Sequence, residues 1–169
     1  MTRFNGIVYF DKDSCQAERI YVDASLTGFG GHWDNNVYAT PIYHCPSESS
    51  IVHLEMLNIL VALRTWAPQL TYKKVQLFCD NWAVVQVVHS GRGRDAFLNA
   101  CLRNIWLETA SHDIELRVTH IRGIDNIIAD ILSRSYSETP SRNLEASIAI
   151  SQATKYYIPP HRFLLDFSI

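Results

Sequence analysis

The sequence predicts an α/β fold built on a five-stranded mixed sheet, an antiparallel meander plus parallel strands, flanked by helices. One observation is a series of short strand patterns between residues 18 and 44. The other is a strand, a long apolar helix and a second strand in close succession, because strands connected in this way lie parallel and are joined by a right-handed crossover. A chain of 169 residues with 47% hydrophobic residues is long and apolar enough for one packed domain.

The first three strands are predicted from alternation and turn residues. Ile20 and Val22 face one side of the first strand, whereas Asp23 faces the other, which is the two-residue period of a β-strand. Two more strand candidates follow at residues 31–33 and 37–43, with the Asn-Asn pair between them as the hairpin turn. A β-meander is therefore the expected start of the fold.

A mostly buried helix is predicted to begin in the polar segment 47–50 and to end at Pro68. Two apolar stripes recur along it at helical spacing: Met56, Ile59, Leu60, Leu63 and Trp66, and beside them Leu54, Leu57 and Val61. The narrow stripe that remains holds Glu55, Asn58, Ala62 and Thr65. A short buried strand at residues 75–79 ends at Asp80 and completes the parallel pair.

The rest of the predicted core consists of helices and one more strand. Two helical patterns, residues 81–90 and 95–111, flank a Gly-Arg-Gly-Arg break. Residues 114–121 form a further strand, in which apolar and polar residues alternate. Residues 126–134 form a short helix with an Asp or Asn cap at its start.

The composition changes after Arg134, so we expect residues 1–136 to form the domain and residues 137–169 to form a linker and a C-terminal tail. The segment 135–142 is rich in Ser, Thr and Pro, which is typical of linkers. Residues 143–155 are expected to form at most a weak helix. The apolar run FLLDF near the end of the tail must either dock on the domain or belong to a neighbouring module.

Composition narrows the class of protein without identifying a partner. A net charge of −2 gives no sign of nucleic-acid binding, although a few local Arg and Lys residues can supply phosphate contacts. The chain shows no signal-peptide pattern and no apolar run near the roughly 18 residues of a membrane span. The scattered cysteines are expected to be reduced thiols of an intracellular protein, in the cytoplasm or the nucleus: Cys15, Cys45, Cys79 and Cys101.

Four carboxylates stand out for their positions in this pattern of elements. Asp23 lies late in the first strand, and Asp80 lies at the carboxyl end of the strand predicted beside it. Glu55 lies on the polar stripe of the connecting helix, and Asp130 lies on the last short helix. Because ligand sites in α/β sheets gather at the carboxyl ends of strands, the first three should lie close together. Carboxylates so close need a counter-charge, which magnesium supplies through its oxygen ligands.

Each of these residues alone has an ordinary explanation. An aspartate at the end of a strand is more often a turn former or a helix cap, and a glutamate on a helix is usually solvated. Asp130 alone could pair with Arg134 one helical turn later. Only the set, in this order on these elements, favours a site in which two divalent ions clamp the attacking and leaving oxygens of a phosphoryl displacement.

Four segments resemble the type-1 ribonuclease H domains of retroelement reverse transcriptases: YVDAS at residues 21–25, HLE at 53–55, LFCDN at 77–81 and HIRGIDNIIADILSR at 120–134. The last segment is the most specific, and with the DNWAV sequence after the buried strand it is most similar to DIRS-type and gypsy-type retrotransposons, the DIRS type being favoured. The resemblance implies a ribonuclease H-like fold. It also implies a metal-dependent endonuclease that hydrolyses the RNA strand of RNA–DNA hybrids during reverse transcription.

The resemblance implies a role for each residue that matches a motif. Asp23 would bridge two Mg²⁺ ions, for which Mn²⁺ can substitute, and Asp130 would hold the ion that activates the attacking water. Glu55 and Asp80 would hold the ion on the leaving-group side, with Glu55 also near the 2′-hydroxyl of the cleaved nucleotide. His120 would assist nucleophile activation or product release.

The resemblance also indicates how substrate and partners are bound. Asn126 would support the loop that follows the histidine. Hybrid specificity would come from 2′-hydroxyl and phosphate contacts, with the backbone at Gly30 and the side chain of Asn81 as candidates. The basic helical handle of bacterial members has no room in this chain, so Arg92 and Arg94 are the best local phosphate binders. The polymerase domain of the same polyprotein is the expected source of further affinity.

Two other classes of protein on this fold stay open. A non-catalytic module that binds nucleic acid or serves as a scaffold would lack one of the carboxylates, whereas all four are present. A transposase or junction resolvase would also use an acidic triad, but the spacing from His120 to Asp130 and the ADILSR ending argue against it.

Two further groups of residues are expected to have no part in the chemistry. The first is a group of possible zinc ligands, His44, Cys45 and His53. Its spacing matches no zinc finger, and a fourth ligand is missing. The second is expected to belong to the core rather than to a surface on which bases stack: Trp66, Trp82 and Trp106.

Overall fold

A computed structural model of the chain describes residues 16–43, 49–137 and 144–165. In these ranges the strands are β1 (Glu18–Ala24), β2 (Gly28–Trp33), β3 (Asn36–Pro41), β4 (Lys74–Cys79), β5 (Glu115–His120) and β6 (Thr154–Lys155). The α-helices are α1 (Ile51–Trp66), α2 (Trp82–Ser90), α3 (Ala96–Ser111), α4 (Ile127–Ser133) and α5 (Leu144–Gln152).

The strands form one mixed sheet in the order β5-β4-β1-β2-β3-β6, which confirms the predicted α/β fold. β1, β2 and β3 form the antiparallel meander, and β4 and β5 follow on the other side of β1 as parallel neighbours. The sheet has one strand more than the five predicted, because the two residues of β6 pair in parallel with β3. A strand of two residues has no alternating pattern, so the sequence held no signal for it.

α1 forms the centre of the core and contacts both β1 and α3. Its residues from Leu54 to Leu63 are buried, and Trp66 at its end is fully buried, as the two apolar stripes predict. Because the helix is packed on most sides, its polar residues Glu55 and Asn58 are buried as well. Each of them must therefore find hydrogen-bond partners inside the protein.

The interpretation of Trp82 and Trp106 as core residues is wrong. Trp82 is 59% exposed and Trp106 is 42% exposed, whereas Trp66 belongs to the core as expected. Trp82 is the first residue of α2. Trp106 directly follows the buried Ile105 in α3 and therefore lies to one side of the buried face of that helix. A tryptophan on a helix can be assigned to core or solvent only when the packed side of the helix is known.

α4 packs on β2 and β1 and brings the last predicted carboxylate to the sheet. Gly30 is a point of close approach, because a Cβ there would lie 2.4 Å from the backbone nitrogen of Ser133 and 2.5 Å from the carbonyl oxygen of Ala129. No side chain fits this contact. The absence of a side chain therefore lets α4 bring Asp130 and Ser133 up to Asp23.

The C-terminal segment packs on the core. Phe163 is buried and stacks on Phe29 of β2, with ring centroids 5.4 Å apart. The guanidinium of Arg64 in α1 donates hydrogen bonds to the carbonyl oxygens of Arg162 and Leu164, at 2.9 and 2.6 Å. These contacts favour one folded unit that extends to residue 165, whereas the division at residue 136 stays a prediction from sequence.

Several sequence predictions concern residues outside the described ranges: Cys15, His44, Cys45, most of the linker (138–143) and the last four residues (166–169). Cys79 and Cys101, which lie within the described residues, are buried thiols that form no disulfide. None of the described helices is long and apolar enough to cross a membrane.

Candidate active site

Three of the four predicted carboxylates line one open cleft at the carboxyl ends of β1 and β4. Asp23 lies near the end of β1, Asp80 directly follows β4, and Glu55 extends from the second turn of α1. The cleft has a volume of about 710 Å³, and Arg134, directly after α4, lies on its wall. The sequence predicted this meeting point because parallel strands end at the same edge of a sheet.

Asp23 is 4% exposed, and its carboxylate accepts a hydrogen bond from the hydroxyl of Ser133. The pKa of Asp23 is raised to about 7, chiefly by burial; the Ser133 hydrogen bond lowers it, and the charges of Asp80 and Asp130 raise it. A carboxyl group with this pKa changes its charge near neutral pH unless a cation lies beside it.

Glu55 is also buried, and both of its carboxylate oxygens have partners. Oε1 accepts a hydrogen bond from the backbone N–H of Ala24 at 3.2 Å, and Oε2 accepts one from the Sγ of Cys79 at 3.7 Å. Burial raises the pKa of Glu55 well above its ordinary value, and the charges of Asp23 and Asp80 add to this effect. Ligand atoms of Glu55, Cys79 and Asp80 all lie within 4.8 Å of one another and form a candidate cation site.

His120, the last residue of β5, lies beside Asp80. Its Nε2 is 3.1 Å from the backbone carbonyl oxygen of Asp80, which can only accept, so Nε2 carries the hydrogen of this bond. The indole of Trp82 packs edge-on against the imidazole, with ring centroids 5.5 Å apart. The histidine is exposed, and in the neutral ring this tautomer leaves the lone pair on Nδ1.

Asp130 and Asn126 reach the site through α4. The Nε of Arg134 is 2.6 Å from Oδ1 of Asp130, as the i+4 spacing predicts. The charge of Asp130 raises the pKa of Asp23 and of Asp80, although burial is the larger cause for both. Nδ2 of the buried Asn126 donates to the β1 carbonyl oxygen that precedes Asp23, at 2.9 Å, and thereby ties the start of α4 to this strand.

The peptide group that follows Asp23 is held from both ends by α1. Nδ2 of Asn58 donates to the Asp23 carbonyl oxygen at 2.7 Å, and the N–H of the same peptide donates to Glu55. Asn58 also donates to the carbonyl oxygen of Gly30 at 3.0 Å and accepts from the hydroxyl of Tyr38 at 2.6 Å. Asn58 therefore positions Asp23. The sequence gives one signal for this role: Asn58 lies on the same narrow helical stripe as Glu55.

His53, which shares a motif with Glu55, joins the starts of two helices. Its Nδ1 accepts a hydrogen bond from the backbone N–H of Ser50, and its Nε2 lies 2.9 Å from the carboxylate of Asp95, the cap of α3. Its observed role is therefore structural. The bonds of both nitrogens fix the end of α1 from which Glu55 extends.

The predicted substrate contacts fall in three places. Asn81 lines the cleft and caps α2, because its Oδ1 accepts from the first N–H groups of that helix. Gly30 lies beneath α4, where its observed role is close packing. Arg92 and Arg94 lie in the loop between α2 and α3, outside the residues that line the cleft, and Arg94 is 3.7 Å from Asp95. Contacts of these residues with a substrate stay predictions.

The arrangement makes the cleft acidic and favours cation binding. Burial and mutual repulsion raise the pKa values of Asp23, Glu55 and Asp80. A divalent cation among the carboxylates would relieve both effects and displace the bound protons. Because the donors of these residues are oxygen atoms, the site matches the ligand preference of magnesium.

No protein-family model matches the sequence, and no curated protein is detectably similar to it. Among solved structures, the fold matches the crystal structure of RNase H1 from the halophilic archaeon Halobacterium salinarum NRC-1, with a TM-score of 0.52 and 14% sequence identity. The match covers 69% of this chain and 94% of that chain. The chain therefore has a ribonuclease H-like fold, and at this identity the likeness shows the fold alone.

Proposed function

We propose that this protein is a ribonuclease H, an endonuclease that hydrolyses the RNA strand of RNA–DNA hybrids with two divalent metal ions. The main support is the convergence of Asp23, Glu55 and Asp80 in one cleft on a ribonuclease H-like sheet, with Asp130 close enough to alter the pKa values of two of them. Buried carboxylates that repel one another destabilise a protein. Such a cluster is expected where a cation is bound.

Asp23, Glu55, Asp80 and Asp130 are the residues that would hold the metal ions. Their carboxylate oxygens suit Mg²⁺ or Mn²⁺, whereas the neighbouring thiol of Cys79 is a softer donor that Mg²⁺ does not prefer. When bound, two such ions would stabilise the charge on the attacking and leaving oxygens of the phosphodiester.

The protein's own residues would orient the substrate and move protons. His120, with its Nε2 fixed on the Asp80 carbonyl, would exchange a proton at Nδ1 with the attacking water or with the leaving group. Asn58 and Asn126 would hold the backbone around Asp23 so that its carboxylate keeps one orientation. Asn81 at the start of α2 would contact the nucleic acid from the cleft wall.

We further propose that the domain belongs to a retrotransposon reverse transcriptase, of the DIRS type in preference to the gypsy type. The support is the motif at residues 120–134, whose His, Asn and Asp residues fall on β5, the loop after it and α4. The partner would be the polymerase domain of the same polyprotein, and the site of action would be the cytoplasm or the nucleus.

A non-catalytic ribonuclease H-fold module is the second candidate. It is favoured by one observation, the 2.6 Å ion pair between Arg134 and Asp130, since a carboxylate that has an internal cation needs no metal for its charge. The pair is 55% and 36% exposed at its two side chains, so it is weak and easily exchanged for a stronger cation.

The function is tested with an RNA–DNA hybrid that is labelled in turn on each strand, beside duplex DNA, duplex RNA and a four-way junction. The proposal predicts cleavage of the hybrid's RNA strand alone, dependent on Mg²⁺ or Mn²⁺ and abolished by EDTA. Binding of the hybrid without cleavage in either metal would favour the non-catalytic module. Cleavage of the junction or of duplex DNA would indicate a resolvase or transposase activity.

A further inference from the structure

Apolar side chains surround the acidic floor of the cleft. Leu26, Ile51 and Trp82 all line it, and they are 78%, 40% and 59% exposed. They come from three separate elements: the β1–β2 turn, the first residue of α1 and the first residue of α2. We call these three residues the apolar rim. Exposed apolar side chains that cluster at one cleft usually mark a binding surface.

Contacts within the protein fix the turn that carries Leu26 and the position of Trp82. The hydroxyl of Ser25 accepts hydrogen bonds from the N–H groups of Thr27 and Gly28 and donates to the carbonyl oxygen of Ser133 at 2.8 Å, which fixes the turn that presents Leu26. Trp82 directly follows the helix cap, and one side of its indole rests on His120. A preorganised apolar side chain loses little conformational entropy on binding.

The cleft offers little positive charge to a nucleic acid. Among the described residues that line it, Arg134 is the only basic one. Phosphate contacts from the cleft wall are therefore few, and affinity must come from other contacts. Trp82 has the largest apolar side chain among the described residues that line the cleft, and it is exposed.

We propose that Trp82, supported by Leu26 and Ile51, binds the sugar and base edges of an RNA–DNA hybrid in its minor groove beside the cleavage site. This inference rests on the proposed function and adds to it the contact that holds the substrate. An A-like helix has a wide, shallow minor groove that displays base edges and 2′-hydroxyls. Proteins that bind the minor groove of DNA also present apolar side chains to it.

The contact that we propose for Trp82 differs from an arginine–phosphate contact in how binding depends on salt concentration. Each phosphate contact adds to the slope of log affinity against log salt concentration, whereas an apolar contact does not. The loss of Trp82 should therefore weaken binding by the same factor at low and at high salt. The loss of a phosphate-binding arginine should make the slope shallower.

The test measures binding of a fluorescein-labelled RNA–DNA hybrid to the full chain by anisotropy, in an Asp80→Asn background that should not cleave it. We expect Trp82→Ala to weaken binding roughly tenfold, with an unchanged salt slope, and Trp82→Phe to restore part of the affinity. Trp106→Ala is the matched control, because that exposed tryptophan lies on α3, outside the cleft. Thermal melting checks that all variants are folded.

Intrinsic fluorescence gives a second readout. Binding of an unlabelled hybrid should quench tryptophan emission, and Trp82→Phe should remove most of that quenching while Trp106→Phe keeps it. If the wild type cleaves the hybrid and the parent binds it, but Trp82→Ala binds equally well with unchanged quenching, the role of Trp82 is wrong and the proposed function stands. If the wild-type chain neither binds nor cleaves the hybrid, the proposed function itself fails.

Discussion

The hydroxyl of Ser133 in α4 donates a hydrogen bond to the carboxylate of Asp23 in β1, although the two residues are 110 positions apart in the chain. This bond joins the central strand to the last helix of the ribonuclease H-like core at the floor of the cleft. It favours the charged form of Asp23, whereas burial and the charges of Asp80 and Asp130 favour the protonated form. Because of this balance, the stability of the metal-free protein depends on pH.

We predict that Asp23 stabilises the metal-free protein less and less as the pH rises from about 4 to about 8. His32, whose pKa burial lowers to about 4, acts in the opposite sense below about pH 6.5. Folding raises the pKa of Asp23 from 3.8 to about 7, so in this range Asp23 binds more protons in the folded state than in the unfolded state. The stabilisation that protonated Asp23 provides is complete below about pH 4 and is lost as the pH rises through 7. It amounts to on the order of 4 kcal/mol.

Melting temperatures in EDTA across this range test the prediction. Asp23→Asn should make the loss of stability with rising pH less steep; the remaining dependence comes from Glu55 and Asp80, whose pKa values are raised, and from His32, whose pKa is lowered. Mg²⁺ at pH 8 should restore stability to the wild-type protein. Identical pH profiles for the wild type and Asp23→Asn would show that Asp23 is not protonated in the folded state.

Asn58→Leu should lower the affinity for Mn²⁺ and the rate of cleavage by about 10- to 100-fold, because Asn58 holds the Asp23 backbone. It should also cost about 1–3 kcal/mol for each carbonyl group left without its donor. Tyr38→Phe, which removes only the hydroxyl that orients the amide, should have a smaller effect of the same kind. Calorimetric Mn²⁺ titration and denaturant unfolding measure both effects.

The control for that variant is Asn104→Leu, a change at another buried asparagine, on α3 and outside the cleft. It should lower stability and leave Mn²⁺ affinity unchanged. If Asn58→Leu gives this same pattern, Asn58 is a packing residue and does not position Asp23.

Phe163→Ala should destabilise the protein by about 3–5 kcal/mol, because the side chain is buried against Phe29 and its loss leaves a cavity. Leu164→Ala is the matched control, since that neighbouring side chain is 54% exposed and should change stability by less than about 1 kcal/mol. Truncation after Ser137 should have at least the effect of Phe163→Ala. Equal stability of the full and truncated chains would place the boundary at residue 136 after all.

The meander, the buried helix and the meeting of Asp23, Glu55 and Asp80 could be predicted because each follows from local periodicity and from the parallel βαβ connection. The network of Asn58 could not, because its acceptors are 35 and 28 positions away in the chain. The docking of Phe163 and the exposure of Trp82 depend on which surfaces the assembled core leaves uncovered. No local pattern encodes that property.

His120→Ala should slow cleavage by about 10²- to 10⁴-fold without abolishing it, because a general acid–base group contributes this much and the metal ions stabilise most of the charge. Single-turnover cleavage at saturating Mg²⁺ measures the effect. His89→Ala is a suitable control, since that histidine contacts the backbone of β5 and lies outside the cleft. An unchanged rate for His120→Ala would reduce His120 to a structural residue of the loop.

The proposed metal site is tested most directly by Mg²⁺-dependent cleavage of an RNA–DNA hybrid by the wild type, Asp80→Asn and Asp34→Asn. Asp34→Asn is the control: it makes the same chemical change in the exposed β2–β3 turn. The positive φ of 51° at this position suits asparagine as well as aspartate. We predict that Asp80→Asn abolishes cleavage while its metal-free melting temperature holds or rises, because one repelling charge is removed. Asp34→Asn should cleave like the wild type. Cleavage by Asp80→Asn above about a tenth of the wild-type rate, on the scale of the 10²-fold effects expected of catalytic groups, would contradict the assignment of Asp80 as a metal ligand.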